Sequence, residues 1–340
     1  MSSPSRPTLK SVAAHAGVSV TTTADILRAT PEQLSRYHAD TVAKVRDSAA
    51  ALHYQPNRLA AALVSGRSRT VMLLMERAYE PYFARVARAM ETLVRDAGYE
   101  MFVVDAAHFQ TGRRGLWPVD GILAVEGEAW QEVALQLRPQ VDTPLVSLGT
   151  CGIAGYDQVR IDLPAAMAAA ARHLIAQGAQ NILYLDQQPL SAPNLAATYL
   201  DPFKAAAAAI KKARRSLVRL ATTQPTAAAA KTVLLDYLQQ QPRPDAILCR
   251  TDDLALGASS ALLEHGLTPG REVLLVGCNG MEELAFYNPP LSTLAFPVEA
   301  MCAAAWEMMQ QRLDQPGQPP QRLDLSIPLV VRMSSSQALK

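Results

Sequence analysis

Thr8-Leu-Lys-Ser-Val-Ala-Ala-His-Ala-Gly-Val-Ser-Val-Thr-Thr-Thr-Ala-Asp-Ile-Leu27 decides how the rest of the chain is read. Thr8 can cap a first helix through its hydroxyl. Leu9, Val12, Ala13 and Ala16 follow at helical spacing. Gly17 ends that helix, because glycine takes a left-handed backbone without strain. Ser19 caps a second helix, whose inward side comes from Val18, Thr22, Thr23, Ile26 and Leu27. Two short helices with a tight break are the sequence form of a helix-turn-helix. In that arrangement the second helix lies in a DNA major groove, its early residues towards base edges. Taken alone, the stretch also fits an ordinary alanine-rich helical hairpin.

The following residues weigh towards the first reading. A third helix is expected from about Asp40 to Leu52, with Val42, Val45, Ala49 and Leu52 apolar. Then comes His53-Tyr-Gln-Pro-Asn-Arg-Leu-Ala-Ala-Ala-Leu-Val-Ser-Gly-Arg-Ser-Arg-Thr70. Here the chain resembles the lac repressor and purine repressor family. The matching elements are Val12-Ala13, Ala16-Gly17-Val18-Ser19, Tyr54-x-Pro56-Asn57, Ala60, Leu63 and Thr70. Each is common alone; their order and spacing together are specific. The resemblance continues, more loosely, through nearly all of the chain. It implies a DNA-binding regulator that acts as a homodimer on an imperfectly palindromic operator and answers to a small molecule. It also implies DNA contacts from Thr8, Ser19, Val20, Thr21, Thr22 and Asp25 in the headpiece, and from Asn57, Arg58, Ala60 and Leu63 in the segment behind it. In the family the recognition helix usually carries Ser-Arg where this chain has Ala24-Asp25. A carboxylate is repelled by phosphates but can accept a hydrogen bond from cytosine N4. A departure from the usual family operator is therefore expected.

Charge is distributed in keeping with this. The 340 residues carry a net charge of +1. Residues 1–70 hold nine Lys/Arg against four Asp/Glu, so the excess of positive charge sits on the segment that would meet phosphates. Cys151, Cys249, Cys278 and Cys302 are scattered without a Cys-x-x-Cys pair, as expected of reduced thiols in the cytosol. The opening residues are polar and proline-containing, unlike a signal peptide. No apolar run is long enough to span a membrane. The expected location is the cytoplasm.

Residues 1–54 read as the helical headpiece and 55–69 as a hinge. Ala60 and Leu63 share one face of a helix too short to stand alone. In the family that helix forms on DNA and its leucine wedges into the minor groove, a use open to any apolar side chain that can kink a base step. From Thr70 the pattern becomes strand–helix alternation. Expected strands are 71–75, 101–104, 121–125, 145–148, 181–185, 216–220, 246–249 and 272–276. Expected helices are 82–97, 165–176, 202–212, 226–240 and 254–265. Such alternation builds parallel sheets with helices on both faces. The expected fold is thus an all-α helix-turn-helix headpiece followed by an α/β body, residues 70–340, of two doubly wound parallel-sheet lobes. The resemblance makes these lobes of periplasmic-binding-protein type, with late crossovers near residues 290 and 322. Between Val104 and Gly121 the chain is too short and glycine-rich for the helix the family has there. Nothing after Arg332 is long enough for the coiled coil that makes some relatives tetramers, so a dimer is expected.

Ligands of open parallel sheets sit beyond the carboxyl ends of the strands. Arg250-Thr-Asp-Asp-Leu-Ala-Leu-Gly257 resembles the family's Asn-Asp-x-x-Ala-x-Gly element, with Thr251 for the Asn. Gly277-Cys-Asn-Gly280 resembles its Gly-Phe-Asp, with Asn279 for the aspartate. Glu80-Pro-Tyr-Phe83 resembles Asn-Pro-Phe-Phe, which lends an aromatic wall. Tyr199 stands where the family has a ligand-binding arginine. Asp252 matches the motif aspartate and can accept from hydroxyls or simply cap the helix after it; Arg250 can meet an anion. The expected effector is a small polyhydroxylated molecule, a sugar or sugar phosphate, between Tyr82, Phe83, Tyr199, Arg250, Asp252 and Asn279. No cofactor or metal is implied. The sequence lacks Gly-x-Ser-x-Gly, His-Glu-x-x-His, Gly-x-x-x-x-Gly-Lys and Gly-x-Gly-x-x-Gly, which argues against an enzyme. A solute-binding protein with a degenerate headpiece is the alternative; it would ordinarily carry a signal peptide in the headpiece's place.

Overall fold

The computed structural model describes residues 7–28, 31–55, 66–75, 80–105, 119–125, 143–150, 152–153, 155–187 and 201–336. The chain divides into two compact units, Met1–Ser68 and Arg69–Lys340.

The first unit is helical. Helix α1 spans Leu9–Ala16, α2 Val20–Arg28, α3 Pro31–Leu34 and α4 Ala39–Ala51. Thr8 caps α1, accepting from Ser11 N–H while Ser11 Oγ answers the Thr8 N–H. Gly17 closes it in the left-handed conformation, φ 68°. Ser19 Oγ accepts from Thr22 N–H at 3.0 Å, starting α2. Val12, Ala13, Thr23, Ile26, Val45 and Ser48 form the buried centre. Two of these six are polar and both are satisfied. Thr23 Oγ1 donates to Ser19 O at 2.9 Å, and Ser48 Oγ lies 2.9 Å from His15 Nδ1, tying α4 to α1. Helix α3 lies between the second and third helices expected from the sequence, and its four residues are too few to show a helical period. Val18, Thr22 and Leu27, expected inward, are half-buried.

The second unit contains two six-stranded sheets. The strands are β1 Thr70–Met75, β2 Glu100–Asp105, β3 Gly121–Val125, β4 Leu145–Gly149, β5 Asp157–Ile161, β6 Asn181–Gln187, β7 Ser216–Thr222, β8 Ala246–Cys249, β9 Leu274–Cys278, β10 Ser292–Leu294, β11 Arg322–Leu325 and β12 Leu329–Val330. The helices are α5 Pro81–Asp96, α6 Leu163–Ala176, α7 Pro202–Lys212, α8 Ala227–Gln240, α9 Asp252–Glu264 and α10 Val298–Asp314. Lobe 1 has the order β11-β5-β4-β3-β1-β2, with parallel pairing throughout. Lobe 2 has the order β12-β10-β9-β8-β6-β7, antiparallel only between β10 and β12. The chain passes between lobes after β5, between β10 and α10, and between β11 and β12. Helix α10 packs on β3, β4 and β5 of lobe 1 and against α5.

Central strands such as Val71–Met75, Gly121–Val125 and Leu274–Cys278 are buried along their length, as parallel strands covered on both faces must be. Strand β9 starts two residues later than expected. Glu272 Oε2 accepts from Thr268 N–H at 2.8 Å, closing a turn through Gly270, φ 84°, and this holds Glu272 out of the strand. Strand β5 and helix α10 were not expected. The segment between Val104 and Gly121, read as lacking a helix, lies mostly outside the described residues, as do Asn57, Arg58, Ala60, Leu63 and Tyr199.

Candidate functional site

In the helical unit, burial of Thr23 and Ile26 turns the opposite side of α2 outward. Val20 is 44% exposed, and Thr21 and Asp25 are exposed beside it. Thr22 is half-buried and its hydroxyl shares a 2.8 Å hydrogen bond with Ser19 Oγ, so both side chains serve the start of the helix. Asp25 is not bare: its Oδ2 accepts from Tyr37 Oη at 3.1 Å. That bond to a carboxylate, above all, holds the Tyr37 phenol above its ordinary pKa. Tyr37, from the turn before α4, was not anticipated; a hydroxyl twelve residues away leaves no local signal. Asp25 is thus exposed beside Val20 and Thr21 with its Oδ2 engaged by Tyr37.

In the two-lobed unit the carboxyl ends of the two sheets face each other. Arg85, in the first turns of α5, donates from Nη1 to Gly280 O at 2.6 Å, just past β9. Its Nη2 lies 3.9 Å from Glu299. Tyr82 meets Phe296 edge-to-face at 5.2 Å and Phe83 at 5.0 Å. Tyr82 is half-buried at this junction. Phe83 is only 6% exposed and belongs to the core, which corrects its expected place on an aromatic wall: it is the fourth-position partner that α5 turns inward with Val86 and Met90.

Asp252 is corrected in the same way. Its side chain is completely buried. Oδ2 accepts from Met281 N–H and Oδ1 from Thr293 Oγ1, both at 2.7 Å. The helix cap is the neighbouring Thr251, whose Oγ1 accepts from Leu254 N–H. Burial pushes the Asp252 carboxyl up to about 6, against the lowering effect of its hydrogen bonds. With both oxygens engaged inside the lobe, Asp252 fastens the turn 279–281 to β10 and makes no open site for a hydroxyl. Thr293 Oγ1 also accepts from Gly280 N–H at 3.2 Å. A Cβ at Gly277 would collide with Asp252 Oδ1, and one at Gly257 would collide with Ala227 O where α8 and α9 touch. The motif glycines are thus packing requirements. Asn279 leaves this turn half-buried at φ 124°, an angle that side chains rarely adopt. Arg250, half-buried, follows β8 at the same end. Tyr82, Arg250 and Asn279 are the expected residues that the structure leaves accessible there.

One further cluster was missed. Arg219 of β7 reaches Asp186 of β6 through Nε and Nη2, at 2.9 and 2.6 Å, and lies 4.3 Å over the Phe203 ring. Alternation along β7 gives a faint signal, since a charged residue interrupts an apolar run there.

A helical unit thus precedes two parallel-sheet lobes, between which the chain crosses three times. Residues 171–335 match the family model "Periplasmic binding protein-like domain". The chain is 26% identical to the HTH-type transcriptional repressor PurR of Yersinia enterocolitica over 335 residues, 96% of each chain. It superposes on the lac repressor dimer bound to operator and the anti-inducer ONPF with a TM-score of 0.80 at 22% identity, covering 97% of this chain and 99% of that one. A LacI family regulator from Arthrobacter sp. FB24, solved with lactose, gives a TM-score of 0.67 at 24% identity, covering 78% of this chain and 99% of that one. Along nearly its full length the chain is thus similar in sequence to a purine repressor and similar in fold to the lac repressor.

Proposed function

We propose that this protein is a DNA-binding transcription regulator, a repressor, whose affinity for an imperfectly palindromic operator is set by a small polyhydroxylated molecule bound between its lobes. The observation that carries this is the pairing of an outward recognition face, Val20, Thr21 and Asp25, with a two-lobed body homologous to repressors along its length. It acts as a homodimer in the cytoplasm and carries no catalytic activity. Among the described residues no helix is long and apolar enough to cross a membrane. Thr8, Ser19 and Thr22 position α1 and α2 near phosphates; Asn57, Arg58, Ala60 and Leu63 supply the hinge contacts. Tyr82, Arg250 and Asn279 line the effector site with Tyr199, while Phe83 and Asp252 shape it from behind.

Selection from random double-stranded DNA tests the proposal. Enrichment of a two-fold symmetric sequence is expected, with a cytosine preference opposite Asp25, each specific base pair being worth about 1–3 kcal/mol. Asp25→Ala should relax that position alone, while binding to unrelated DNA rises because a phosphate-repelling charge is gone. Recovery of the same site, with the same preference, by parent and variant would remove Asp25 from the readout. Failure to enrich any sequence would overturn the DNA-binding reading itself.

The dimer is proposed to use the β2 edge of lobe 1, the last strand of its sheet among the described residues. Phe102 and Val103 of β2 are 50% and 46% exposed on a strand that ends its sheet. Large apolar side chains on an edge strand invite a second chain. Val103→Lys is expected to raise the dimer dissociation constant at least tenfold, measured by analytical ultracentrifugation. An unchanged constant would move the interface elsewhere.

A further inference from the structure

Arg219 has the features of a residue prepared for a ligand. Asp186 is nearly buried, 7% exposed in its side chain, whereas its partner Arg219 is 42% exposed. The Nε–Nη2 edge of the guanidinium is spent on Asp186 Oδ2, and the other carboxylate oxygen takes the Gln187 N–H at 2.9 Å. Nη1 donates to no group among the described residues. The plane is fixed a second time by the Phe203 ring, whose own backbone N–H is held by Asp201 at 3.0 Å. A long, flexible side chain is thereby immobilised before any ligand arrives, which removes most of the ordering cost of using it.

The position fits the same reading. In the register of lobe 2, Arg219 stands opposite Tyr184 and Asp186 opposite Ala221. The Arg219 side chain therefore leans along its strand towards the carboxyl end, where β6 stops at Gln187 and β7 at Thr222. That is the end of the sheet that faces lobe 1.

The surroundings choose the ligand's chemistry. A guanidinium paired with a carboxylate is locally neutral. A phosphate would find little net positive charge there, because Asp186 already cancels that of the guanidinium. A hydroxyl oxygen accepts from Nη1 without needing that charge, and the aromatic face of Phe203 suits the apolar side of a polyol. We infer that Arg219, held by Asp186 against Phe203, is a specificity-determining effector contact that takes hydroxyl oxygens of an uncharged sugar and discriminates against its phosphate ester. The inference rests on the proposed effector site between the lobes and narrows its ligand class.

The test uses the full-length protein. A panel of neutral pentoses, hexoses and disaccharides, the matching sugar phosphates, and inorganic phosphate is screened by thermal shift, since binding to the native state raises the midpoint. Hits are then titrated by calorimetry. The parent should bind at least one neutral sugar and bind its phosphate ester at least tenfold more weakly. Arg219→Met leaves Asp186 buried without a partner and can fail to fold. The double variant Asp186→Leu/Arg219→Met removes both charges together, and circular dichroism establishes that it is folded. That variant should bind the neutral sugar at least tenfold more weakly and lose most of the preference over the ester. Equal affinity in parent and double variant overturns the role of Arg219 while leaving the effector site standing. Tighter binding of phosphates than of sugars overturns the ligand class, and so does absence of any neutral-sugar hit. A bound sugar that does not change operator affinity instead overturns ligand control, whatever Arg219 does.

Discussion

Asp252→Ala is expected to destabilise lobe 2 and to abolish the effector response together. The substitution strands two buried donors, the Met281 N–H and the Thr293 hydroxyl. Each orphaned group costs about 1–3 kcal/mol. It also frees the turn that carries Asn279 and meets Arg85 of lobe 1. Operator binding without ligand should survive if ligand is an inducer, because the helix-turn-helix unit has its own core. Asp252→Asn separates hydrogen bonding from charge. Asparagine keeps the shape and can still accept from Met281, so its lobe should stay folded. The folded pKa of Asp252, about 6, lies above the ordinary carboxylate value of 3.8, so the native state holds the extra proton between those values. This group's contribution to stability is therefore fully present below about pH 4 and lost as pH rises to about 6. A shift of this size corresponds to about 3 kcal/mol at most. Denaturant unfolding from pH 4 to pH 7.5 should show the parent losing stability relative to Asp252→Asn as pH rises. Parallel profiles would sink the idea that a buried, ionisable Asp252 fastens this turn.

Arg312→Ala should be as damaging in lobe 1. Asp157, 2% exposed in its side chain, receives Nε and Nη2 of Arg312 at 2.9 and 2.8 Å, and the N–H of Gln321 at 2.7 Å. The same guanidinium donates to the carbonyls of Pro316, Gln318 and Pro319. It thus holds together the end of α10, the loop after it and the start of β5. The bond to Asp157, chiefly, raises the guanidinium's pKa still further. Removing one member of a buried pair costs about 3–5 kcal/mol, because the other charge is left without compensation. Arg312→Lys cannot reproduce the fork and should recover only part of the loss. The unfolding midpoint of parent and variants decides it. A loss below about 1 kcal/mol in Arg312→Ala would mean that solvent reaches Asp157 and that the pair is a surface one.

Most of the architecture was legible because period and punctuation agree. Thr8, Gly17 and Ser19 mark α1 and α2 by their chemistry, and the buried strands of both sheets are short runs of Val, Leu and Ile between turns. Strand β5 was illegible because its inward residues include Asp157, a charged residue whose partner lies at Arg312. Helix α10 begins just after Pro297 and a crossover, where no local pattern says to which lobe the chain returns. At the site, position along the strands picked out loops that the fold does place at the carboxyl ends of the sheets. It did not show that Asp252 and Phe83 are buried, since sequence does not tell a side chain aimed into a cleft from one aimed beneath it. Arg219 and Tyr37 depend on contacts across strands or along twelve residues, and only the folded chain brings their partners to them.

The three passages between lobes also fix the order in which a growing chain can finish its parts. Strand β11, which completes lobe 1 beside β5, is Arg322–Leu325, and Arg312 emerges only shortly before it. Until then β5 is an open edge and Asp157 lacks its cation. The helical unit is a compact unit of its own that ends at Ser68. Domains tend to fold as they leave the ribosome, first residue first. Synthesis therefore yields the whole helical unit about 250 residues before the body is complete. A message cut short anywhere in that interval encodes a finished helical unit on an unfinished body, with lobe 1 still open at β5.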